Sequence, residues 1–452
     1  MKLTSIVASS NAREPLTTIQ LRTYNSRMSL PASLLEELGW RGLVHQYTEG
    51  VAEWLGRGPL VAYVGFDPTA PSLHVGNLVP LMALVHVQRA GHRPVALVGG
   101  GTGMIGDPSG KSAERPLQSV DAIVQHARAI GFQLQRYLDF DGPNAARLVD
   151  NSEWLRPLGT IEFLRDVGKH FTINYMLAKE SVKARLEAGI SFTEFAYMLL
   201  QAYDYLELHR REGASLQLGG SDQWGNITAG VELIRRAEGH EAHAITTPLV
   251  ASASGKKFGK TEAGAVWLDA SRTTPYQFYQ FWINTDDRDV GRFLRFFTLK
   301  SREEIEALER TTAGRPDRRE AQQELALEVT ARTHGDDAAR VAAEMSALLF
   351  GKSDPRSLSE RALDALAREI PFTEIDMPAN GALDTAELFV AADLLASKGA
   401  ARRMLEQGGL YVNGERLTGE SRTVPSSALL PGRHLLLRKG ARDYALVRIK
   451  DG

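Results

Sequence analysis

The stretch Tyr63-Val-Gly-Phe-Asp-Pro-Thr-Ala-Pro-Ser-Leu-His-Val-Gly-Asn77 decides the fold that we expect for this chain. It joins an apolar run at residues 60–66, which predicts a buried strand, to apolar positions at helical spacing that start at Val75 and stop near Gly91. Residues 93–98 form another apolar run and predict a second strand. Together they make one βαβ unit, and the turn after the first strand of such a unit binds ligands at the positive end of the helix dipole.

Within that turn, His74 and Gly76 are the candidate ligand contacts. A glycine lets a nucleotide approach the backbone, and an imidazole can donate a hydrogen bond to a phosphate oxygen. In the alternative interpretation, Ser72 is the N-cap of the helix and His74 only packs. The spacing of these residues alone leaves both interpretations open.

The composition excludes several classes of protein. The chain has 452 residues, 43% of them hydrophobic, so we expect about two to four domains with filled cores. The 53 Lys and Arg residues nearly balance the 55 Asp and Glu residues, which gives no overall signature of nucleic-acid binding. The lack of cysteine excludes disulfide frameworks, cysteine-ligated zinc and thiol nucleophiles. No apolar run reaches the ~18 residues of a membrane span, so we expect a cytoplasmic protein without membrane contact.

The pattern along the chain predicts several parts. Alternating strand-like and helical runs predict an α/β, Rossmann-like catalytic domain with a parallel sheet at residues 31–271, and residues 272–350 are mostly helical in pattern. Residues 351–383 contain three prolines and many acids, which predicts a linker, and residues 384–452 form a small last domain. Residues 1–30, rich in Ser and Thr with a single acid, predict a disordered N-terminal extension, with an organelle transit peptide as the alternative.

The near-neutral total charge hides an uneven distribution. Residues 351–397 hold 4 basic and 9 acidic side chains, whereas residues 398–452 hold 11 basic and 5 acidic ones. The last segment therefore has the charge of a surface that contacts phosphates. It contains a predicted helix with Arg402 and Arg403, followed by Asn413-Gly414, a strong signal for a two-residue hairpin turn.

A glycine-rich segment gives a misleading signal. Gly101-Thr-Gly-Met-Ile-Gly106 fits the dinucleotide-binding spacing G-x-G-x-x-G directly after a predicted strand. However, residues 107–110 predict a turn rather than the opening of a helix, and no acidic residue follows about 20 positions later after a strand. We therefore reject a dinucleotide site at this segment.

Polar residues occupy one face of another predicted helix. Ser191 and Glu194 form a capping-box pattern that opens the helix. Tyr197, Gln201 and Asp204 follow at positions i, i+4 and i+7, which places a phenol, an amide and a carboxylate in one row. Such a row would be costly to bury unpaired, so it marks either a ligand site or a partly solvated stripe on a surface helix.

Two further segments have the chemistry of nucleotide binding. Gly219-Gly-Ser-Asp-Gln-Trp224 follows a strand-like run, and there a glycine allows close approach while Asp222 can accept from ribose hydroxyls. Ser252-Ala-Ser-Gly-Lys-Lys-Phe-Gly-Lys-Thr261 carries three lysines within five residues, whose ammonium groups repel one another unless an anion is present. The alternatives are a helix cap at Asp222 and an ordinary solvated lysine cluster.

Together these segments resemble class I aminoacyl-tRNA synthetases, and specifically the bacterial-type tyrosyl-tRNA synthetases. Residues 63–77 are similar to the HIGH region, with Asn77 at its last position, and residues 100–111 are similar to GGATGxIGDPSGK. The helix carries the family's YxxxQxxD row, residues 218–227 read LGGSDQWGNI, and residues 257–261 are similar to the KMSKS loop in its tyrosyl form KFGKT. The resemblance covers about residues 31–449 and implies a Rossmann-like domain, an α-helical anticodon-side domain and a small α+β, S4-like RNA-binding domain.

The resemblance also implies a role for each candidate site residue, the most specific being that Tyr63 and Asp204 bind the phenol of the substrate. The residues that would contact tyrosine are Tyr63, Asp107, Tyr197, Gln201, Asp204, Gln217 and Gln223, and those that would contact ATP and the adenylate are Gly65, Asp67, Gly76, Asn77, Gly220 and Asp222. The catalytic residues would be Thr69, His74, Lys257, Lys260 and Thr261. Lys111 and Arg115 would belong to the pyrophosphate and tRNA side, and Arg402 and Arg403 would contact RNA.

The activity implied is that of a tyrosine–tRNA ligase, with L-tyrosine, ATP as its Mg²⁺ complex and tRNA(Tyr) as partners, a homodimeric assembly and no protein-bound zinc. The related tryptophanyl enzymes are the nearest alternative, and the Tyr63 and Asp204 pair and the basic C-terminal segment argue against them. A small-molecule nucleotidylyltransferase would need neither the helical block nor the basic segment. A non-enzymatic RNA-binding paralogue would be expected to lose His74, Lys257 or Asp204, all of which are present.

Overall fold

The computed structural model describes residues 33–450 of the chain, apart from residues 110–116, 180–181, 184–185, 187–188, 254, 256–257, 262–263, 351–352 and 379–380. The extension predicted at residues 1–30 lies outside this range. Within it, no helix combines the length and apolar character needed to cross a bilayer.

A six-stranded sheet organises the first part of the described chain, with strands β1 (Gln46–Tyr47), β2 (Val61–Phe66), β3 (Arg93–Val98), β4 (Arg147–Asp150), β5 (Ala214–Gly220) and β6 (His243–Thr247). The spatial order is β1-β6-β5-β2-β3-β4. All neighbouring pairs are parallel except β1 with β6, which is antiparallel. This sheet confirms the predicted Rossmann-like α/β class, and β2 and β3 match the two strands of the predicted βαβ unit.

Helices cover both faces of the sheet: α1 (Leu34–Arg41), α2 (Val51–Leu55), α3 (Leu78–Arg89), α4 (Val120–Leu134), α5 (Ser152–Leu155), α6 (Thr160–Glu162), α7 (Ile173–Leu177), α8 (Phe192–Glu212) and α9 (Trp224–Glu238). Side chains of β2 alternate between the two faces. Val64 and Phe66 pack in the cluster that contains α3, whereas Tyr63 packs in the cluster that contains α8 and α9. The period-2 alternation of a strand thus places Tyr63 on the same side as the polar row of α8.

The chain changes direction at β2. It runs from β2 through β3 to β4 on one side, and then returns to β5 and β6 on the other side. In open parallel sheets, such a switch point leaves a crevice at the carboxyl ends of the two strands. The crevice here lies beyond Phe66 on β2 and Gly220 on β5.

Helix α8 begins where its sequence predicts. The hydroxyl of Ser191 accepts a hydrogen bond from the backbone N–H of Glu194, and the helix ends at Gly213, which has a left-handed φ of 72°. A left-handed residue at this position is the usual end of a helix, and glycine adopts it without strain.

A helical unit follows the sheet, with α10 (Pro275–Ile283), α11 (Asp287–Phe297), α12 (Arg302–Gly314), α13 (Glu320–His334) and α14 (Asp336–Phe350). Its buried aromatic residues belong to the same hydrophobic cluster as β2 and α3. The guanidinium of Arg41 on α1 donates to the carbonyl oxygens of Arg295, Thr298 and Lys300. The sheet and the helical unit therefore share one core.

The C-terminal unit contains α15 (Glu360–Leu366), α16 (Thr385–Ala391) and α17 (Lys398–Glu406), with strands β9 (Phe372–Asp376), β10 (Ala382–Asp384), β11 (Leu410–Val412), β12 (Glu415–Arg416), β13 (Thr423–Pro425), β14 (His434–Lys439) and β15 (Asp443–Lys450). Two short strands, β7 (Lys260–Thr261) and β8 (Gly264–Ala265), pair with each other earlier in the chain. The hairpin predicted at Asn413-Gly414 is confirmed, and both residues have positive φ, 48° and 82°.

Strand β9 lies inside the segment predicted as a linker. It pairs in parallel with β15, with Leu446 opposite Phe372, and so closes one edge of the five-stranded C-terminal sheet. Leu363 on α15 also packs in one cluster with Met345 on α14 and Leu446 on β15. Residues 353–378 are thus built into folded structure that joins the helical unit to the C-terminal sheet.

Candidate active site

One cavity of about 670 Å³ lies at the carboxyl ends of β2 and β5. Its wall brings together residues that are far apart in the sequence, including the polar row of α8 and the turn after β2. The candidate residues that line it are Tyr63, Gly65, Asp67, Thr69, His74, Gly76, Asn77, Asp107, Tyr197, Gln201, Asp204, Gln217, Gly220, Asp222 and Gln223.

The other candidates are Lys111, Arg115, Lys257, Lys260, Thr261, Arg402 and Arg403. Lys111, Arg115 and Lys257 lie outside the described residues, and only the backbone of β7 is described for Lys260 and Thr261. Arg402 and Arg403 are exposed on α17 in the C-terminal unit.

The floor of the cavity is formed by a buried carboxylate and a buried phenol. Asp204 is 1% exposed, and its two oxygens accept hydrogen bonds from Nδ2 of Asn151 (2.8 Å) and Nε1 of Trp154 (2.7 Å). The hydroxyl of Tyr63 is fully buried and has no hydrogen-bond partner among the residues that the structure describes. A carboxylate has about four acceptor positions, so Asp204 can still accept from a ligand beside Tyr63.

Burial controls the charge of these two groups. It raises the pKa of Asp204 to about 8, although the hydrogen bonds from Asn151 and Trp154 act in the opposite direction. Burial, together with Tyr205 and Asp204, raises the pKa of the Tyr63 phenol well above its usual value. Tyr63 is therefore a neutral hydroxyl that can donate one hydrogen bond and accept another.

The sequence analysis did not identify Asn151 and Trp154. Asn151 directly follows β4, and it also holds the glycine-rich turn, since its Oδ1 accepts from the N–H of Gly101 and its Nδ2 donates to Oγ1 of Thr102. A polar residue at the carboxyl end of a parallel strand was the available signal. This signal is weak when the strand order is unknown, because β4 lies at an edge of the sheet and nothing in the sequence shows that its end faces the cavity.

A second acidic group lies in the cavity wall. Asp67 accepts hydrogen bonds from the hydroxyl of Tyr197 (2.7 Å) and from Oγ1 of Thr102 (2.8 Å). Burial and the nearby carboxylates of Asp67 and Asp107 raise the pKa of Tyr197 well above its usual value. The Tyr197 phenol thus stays protonated and donates its hydrogen bond to Asp67.

A third group of polar side chains surrounds Asn226. Its Nδ2 lies 3.0 Å from Oε1 of Gln201, and Asp107 accepts from Nε2 of Gln223 at 2.6 Å. Asn226, which the sequence analysis also missed, is 4% exposed. Oε1 of the buried Gln217 has no hydrogen-bond partner within the described part of the chain. This part of the wall therefore presents acceptor oxygens suited to an ammonium group.

The turn after β2 fixes the imidazole of His74. Its Nδ1 accepts a hydrogen bond from the N–H of Gly76 (3.0 Å), and its backbone N–H donates to Oδ1 of Asn77 (3.0 Å), which makes a capping box. Because Nδ1 accepts, the proton of the neutral ring is on Nε2. A Cβ atom at Gly76 would lie 2.8 Å from the imidazole, so the glycine makes room for His74.

The lysine-rich segment meets this turn at Gly259. Gly259 has a φ of 76°, and a Cβ atom there would lie 2.8 Å from Cγ2 of Val75 and 3.5 Å from the backbone nitrogen of Gly76. Both the left-handed backbone and the close contact require glycine at this position. The HVGN and KFGKT segments, 180 positions apart, are thus in contact within one site.

Two family models match the chain. Residues 56–351 match "tRNA synthetases class I (W and Y)", and residues 363–447 match "Tyrosine--tRNA ligase SYY-like C-terminal domain". The second match begins before β9, in agreement with the pairing of β9 with β15.

Individual relatives are similar over nearly all of the chain. The tyrosine--tRNA ligase of Anaeromyxobacter dehalogenans is 54% identical over 418 residues, which is 92% of this chain and 100% of the relative. That of Geobacillus stearothermophilus is 50% identical over 419 residues, which is 92% of this chain and 99% of the relative. Among solved structures, a C-terminally truncated Aspergillus nidulans mitochondrial tyrosyl-tRNA synthetase has a TM-score of 0.65 and 30% identity, and the match covers 71% of this chain and 95% of that one.

The raised pKa of Asp204 predicts a pH-dependent stability. Between an unfolded pKa of about 3.9 and the folded value, the folded chain binds more protons at this group, so the free energy of unfolding falls as pH rises. The maximal slope is about 1.4 kcal/mol per pH unit. Asp204→Asn should therefore flatten the pH dependence between about pH 5 and 7. Urea unfolding at several pH values measures this, with the exposed Asp141→Asn as the control, and equal slopes for wild type and Asp204→Asn would contradict it.

Proposed function

This chain belongs to the tyrosine--tRNA ligase family of class I tRNA synthetases, and we propose that its cavity activates L-tyrosine with ATP before the amino acid is transferred to tRNA(Tyr). In the first step, a carboxylate oxygen of tyrosine attacks the α-phosphorus of ATP, which gives tyrosyl-adenylate and releases pyrophosphate. In the second step, a hydroxyl of the terminal ribose of the tRNA attacks the tyrosyl carbonyl carbon and AMP leaves.

The observation that carries the choice of tyrosine is the cavity floor. A tyrosine hydroxyl can donate to Asp204 and accept from Tyr63, whose own hydroxyl is buried without a partner. Phenylalanine would make no hydrogen bond to Asp204 and would leave the Tyr63 hydroxyl unpaired, and an unpaired buried polar group costs roughly 1–3 kcal/mol. A tryptophan side chain offers no hydroxyl at all, and its N–H can only donate.

The opposite end of the substrate carries an ammonium group. We assign its binding to acceptors in the wall, with Asp107, Tyr197 and Gln201 as the contacts and Gln217 and Gln223 beside them. Support comes from Asp107 and Gln201, which are held by the Gln223 and Asn226 network at 2.6–3.0 Å. Because this network is already fixed, the side chains lose little conformational entropy when they orient the substrate carboxylate toward the nucleotide.

ATP occupies the mouth of the cavity in this proposal, next to the turn after β2. Gly65, Asp67, Gly76 and Asn77 contact it on the β2 side, and Gly220 and Asp222 contact its ribose on the β5 side. The substrate's own carboxylate is the nucleophile and is already ionised, so the reaction needs positioning and charge neutralisation on the departing pyrophosphate. Thr69, His74, Lys257, Lys260 and Thr261 supply that neutralisation, with Mg²⁺ arriving on the ATP phosphates. Lys111 and Arg115 lie on the pyrophosphate and tRNA side.

Arg402 and Arg403 on α17 supply phosphate contacts to tRNA in this proposal. Both are exposed, in the segment 398–452, which holds 11 basic and 5 acidic side chains. Phosphate contacts raise affinity and set orientation without reading base sequence.

We propose that the domains span residues 31–271 and 272–350, and that the C-terminal unit begins upstream of residue 384, so that it includes β9.

We also propose a homodimer in the cytoplasm. The support is a stretch of the chain that holds several large and exposed apolar side chains, namely Ile161 (74%), Leu164 (52%), Ile173 (60%), Leu186 (47%) and Phe192 (78%). Exposed apolar surface of this kind marks interfaces more often than free surface. Because the family relatives share the chain over almost its whole length, a second copy is the occupant that we expect.

The function is tested by ATP–pyrophosphate exchange with each amino acid in turn. We expect exchange with tyrosine and none above background with tryptophan or phenylalanine. Exchange with tryptophan but not tyrosine would overturn the specificity assignment. A folded protein that exchanges with no amino acid would contradict the activity itself.

The capping geometry of His74 allows its two roles to be separated. His74→Ala should lower the rate of adenylate formation about 10²-fold, because one donor to the pyrophosphate is lost, with little change in tyrosine affinity. His74→Asn should be equally slow, although asparagine can cap the turn by accepting from the N–H of Gly76. Single-turnover kinetics and tyrosine titration measure both effects. A normal rate in His74→Asn would mean that the imidazole serves only as a cap.

The assignment of α17 to tRNA is tested by the double variant Arg402→Ala and Arg403→Ala. Tyrosine-dependent exchange should be unchanged, while tRNA affinity falls and the slope of log affinity against log salt decreases by about 1–2. The exposed Arg128→Ala on α4 is the control for loss of a surface charge. Unchanged tRNA affinity and slope in the double variant would refute the assignment.

A further inference from the structure

We propose that one face of α11 positions the lysine-rich segment at residues 251–261 for adenylate formation, and that Asp289, Arg292 and Phe258 are positioning residues for this step. The inference rests on the proposed function, since it concerns the segment assigned to the pyrophosphate. It goes further by locating what fixes this segment in the helical unit rather than in the sheet.

The beginning of the segment is held through its backbone. Asp289 is 4% exposed, and its Oδ2 accepts a hydrogen bond from the N–H of Ala253 at 2.7 Å. Nη2 of Arg292 donates both to the carbonyl oxygen of Ala251 and to Oδ1 of Asp289, each at 2.6 Å. A buried carboxylate is tolerated only when it is paired and hydrogen-bonded, and here the segment backbone completes its set of partners.

The middle of the segment is held by aromatic packing. The ring of Phe258 stacks on Phe297 with a centroid distance of 5.4 Å and an angle of 8°, and it meets the edge of Phe293 at 5.0 Å. It also contacts Phe281 and Trp282 on α10. Aromatic pairs with such geometry contribute about 0.5–1.5 kcal/mol each beyond the burial of their area.

A single helix therefore provides both attachments. Asp289, Phe293 and Phe297 follow one another at spacing i, i+4 and i+8 on α11, which is one face of a helix, and Arg292 lies beside them. Helix α11 itself packs against α13 of the helical unit and against α3, the helix that connects β2 with β3 of the sheet. Its position is thus fixed by the core that the two units share.

Two neighbouring residues, Phe258 and Gly259, connect α11 to the turn that holds His74. Phe258 lines the cavity, and its neighbour Gly259 lies so close to Val75 and to the backbone of Gly76, next to the imidazole of His74, that it leaves no room for a Cβ atom. Any displacement of Phe258 moves Gly259 over the turn that holds His74. A misplacement of about 1 Å in such a site can cost about 10²-fold in rate. The tyrosine floor at Asp204 and Tyr63 belongs to other elements and should be unaffected.

The test compares truncating and conservative variants in the full-length chain. Phe258→Ala and Asp289→Ala should lower the single-turnover rate of adenylate formation by about 10- to 100-fold, with the tyrosine Kd within about twofold of wild type. Phe258→Met keeps an apolar contact with the rings, and Asp289→Asn keeps an acceptor for the N–H of Ala253, so both should recover to within about threefold. Phe296→Leu is the matched control, because Phe296 packs toward Gly42 and Phe297 instead of Phe258.

The outcomes separate the proposal from the function on which it rests. A fall in rate at constant tyrosine Kd, with recovery in the conservative variants and a normal rate in Phe296→Leu, supports the positioning role. Rates within twofold of wild type in both alanine variants would overturn the positioning role. The role would also be overturned if Phe258→Ala and Asp289→Ala lost rate and tyrosine affinity in parallel, and Phe296→Leu showed losses of the same size. If the wild type itself shows no exchange with tyrosine, the proposed function has failed and not the attachment. Thermal unfolding of each variant shows whether it is folded.

Discussion

The buried carboxylate of Asp204 imposes the strictest requirement on this structure. An ionisable group that is 1% exposed must be given partners, and two of them come from one short segment, Asn151 and Trp154. That segment can reach Asp204 only if β4 ends beside the glycine-rich turn, and Asn151 joins the two by also binding the N–H of Gly101. The edge strand, the turn and the middle of α8 are thus arranged around a single buried carboxyl group.

Crowding explains the glycines of the site better than flexibility does. A Cβ atom at Gly99 would collide with Oδ1 of Asp67, and one at Gly76 would collide with the imidazole of His74. Gly259 needs a left-handed backbone in addition to space. In each case, the missing side chain lets a functional group lie against the backbone, so the glycines are requirements of geometry at the reacting groups.

How far the sequence predicts this structure depends on whether a signal is local. Apolar periodicity and caps are local, and they correctly predicted β2, β3, α8 and the 413–414 turn. Strand β9 was missed because its side chains are exposed or half-buried, which leaves no apolar alternation in a proline-containing segment. Asn151 and Asn226 were missed because their partners lie on other elements, 25 to 53 positions away for Gln201 and Asp204, so no local pattern marks them. The helical spacing predicted the YxxxQxxD row, whereas its grouping with Tyr63 followed from family resemblance alone.

When the nucleophile belongs to the substrate, the protein does not need a reactive side chain, but it must hold the substrates and its own side chains in the correct positions. The cysteine-free composition is consistent with this, since no thiol or cysteine-bound metal is needed to attack a phosphorus atom. What the protein must supply is a fixed relation between the phenol floor on α8, the turn after β2 and the lysine-rich segment. The first two are parts of the sheet layer, whereas the third is bound by α11. In the proposed reaction, the core shared between the sheet and the helical unit therefore has a catalytic consequence, because it holds the lysine-rich segment in register with the floor and the turn.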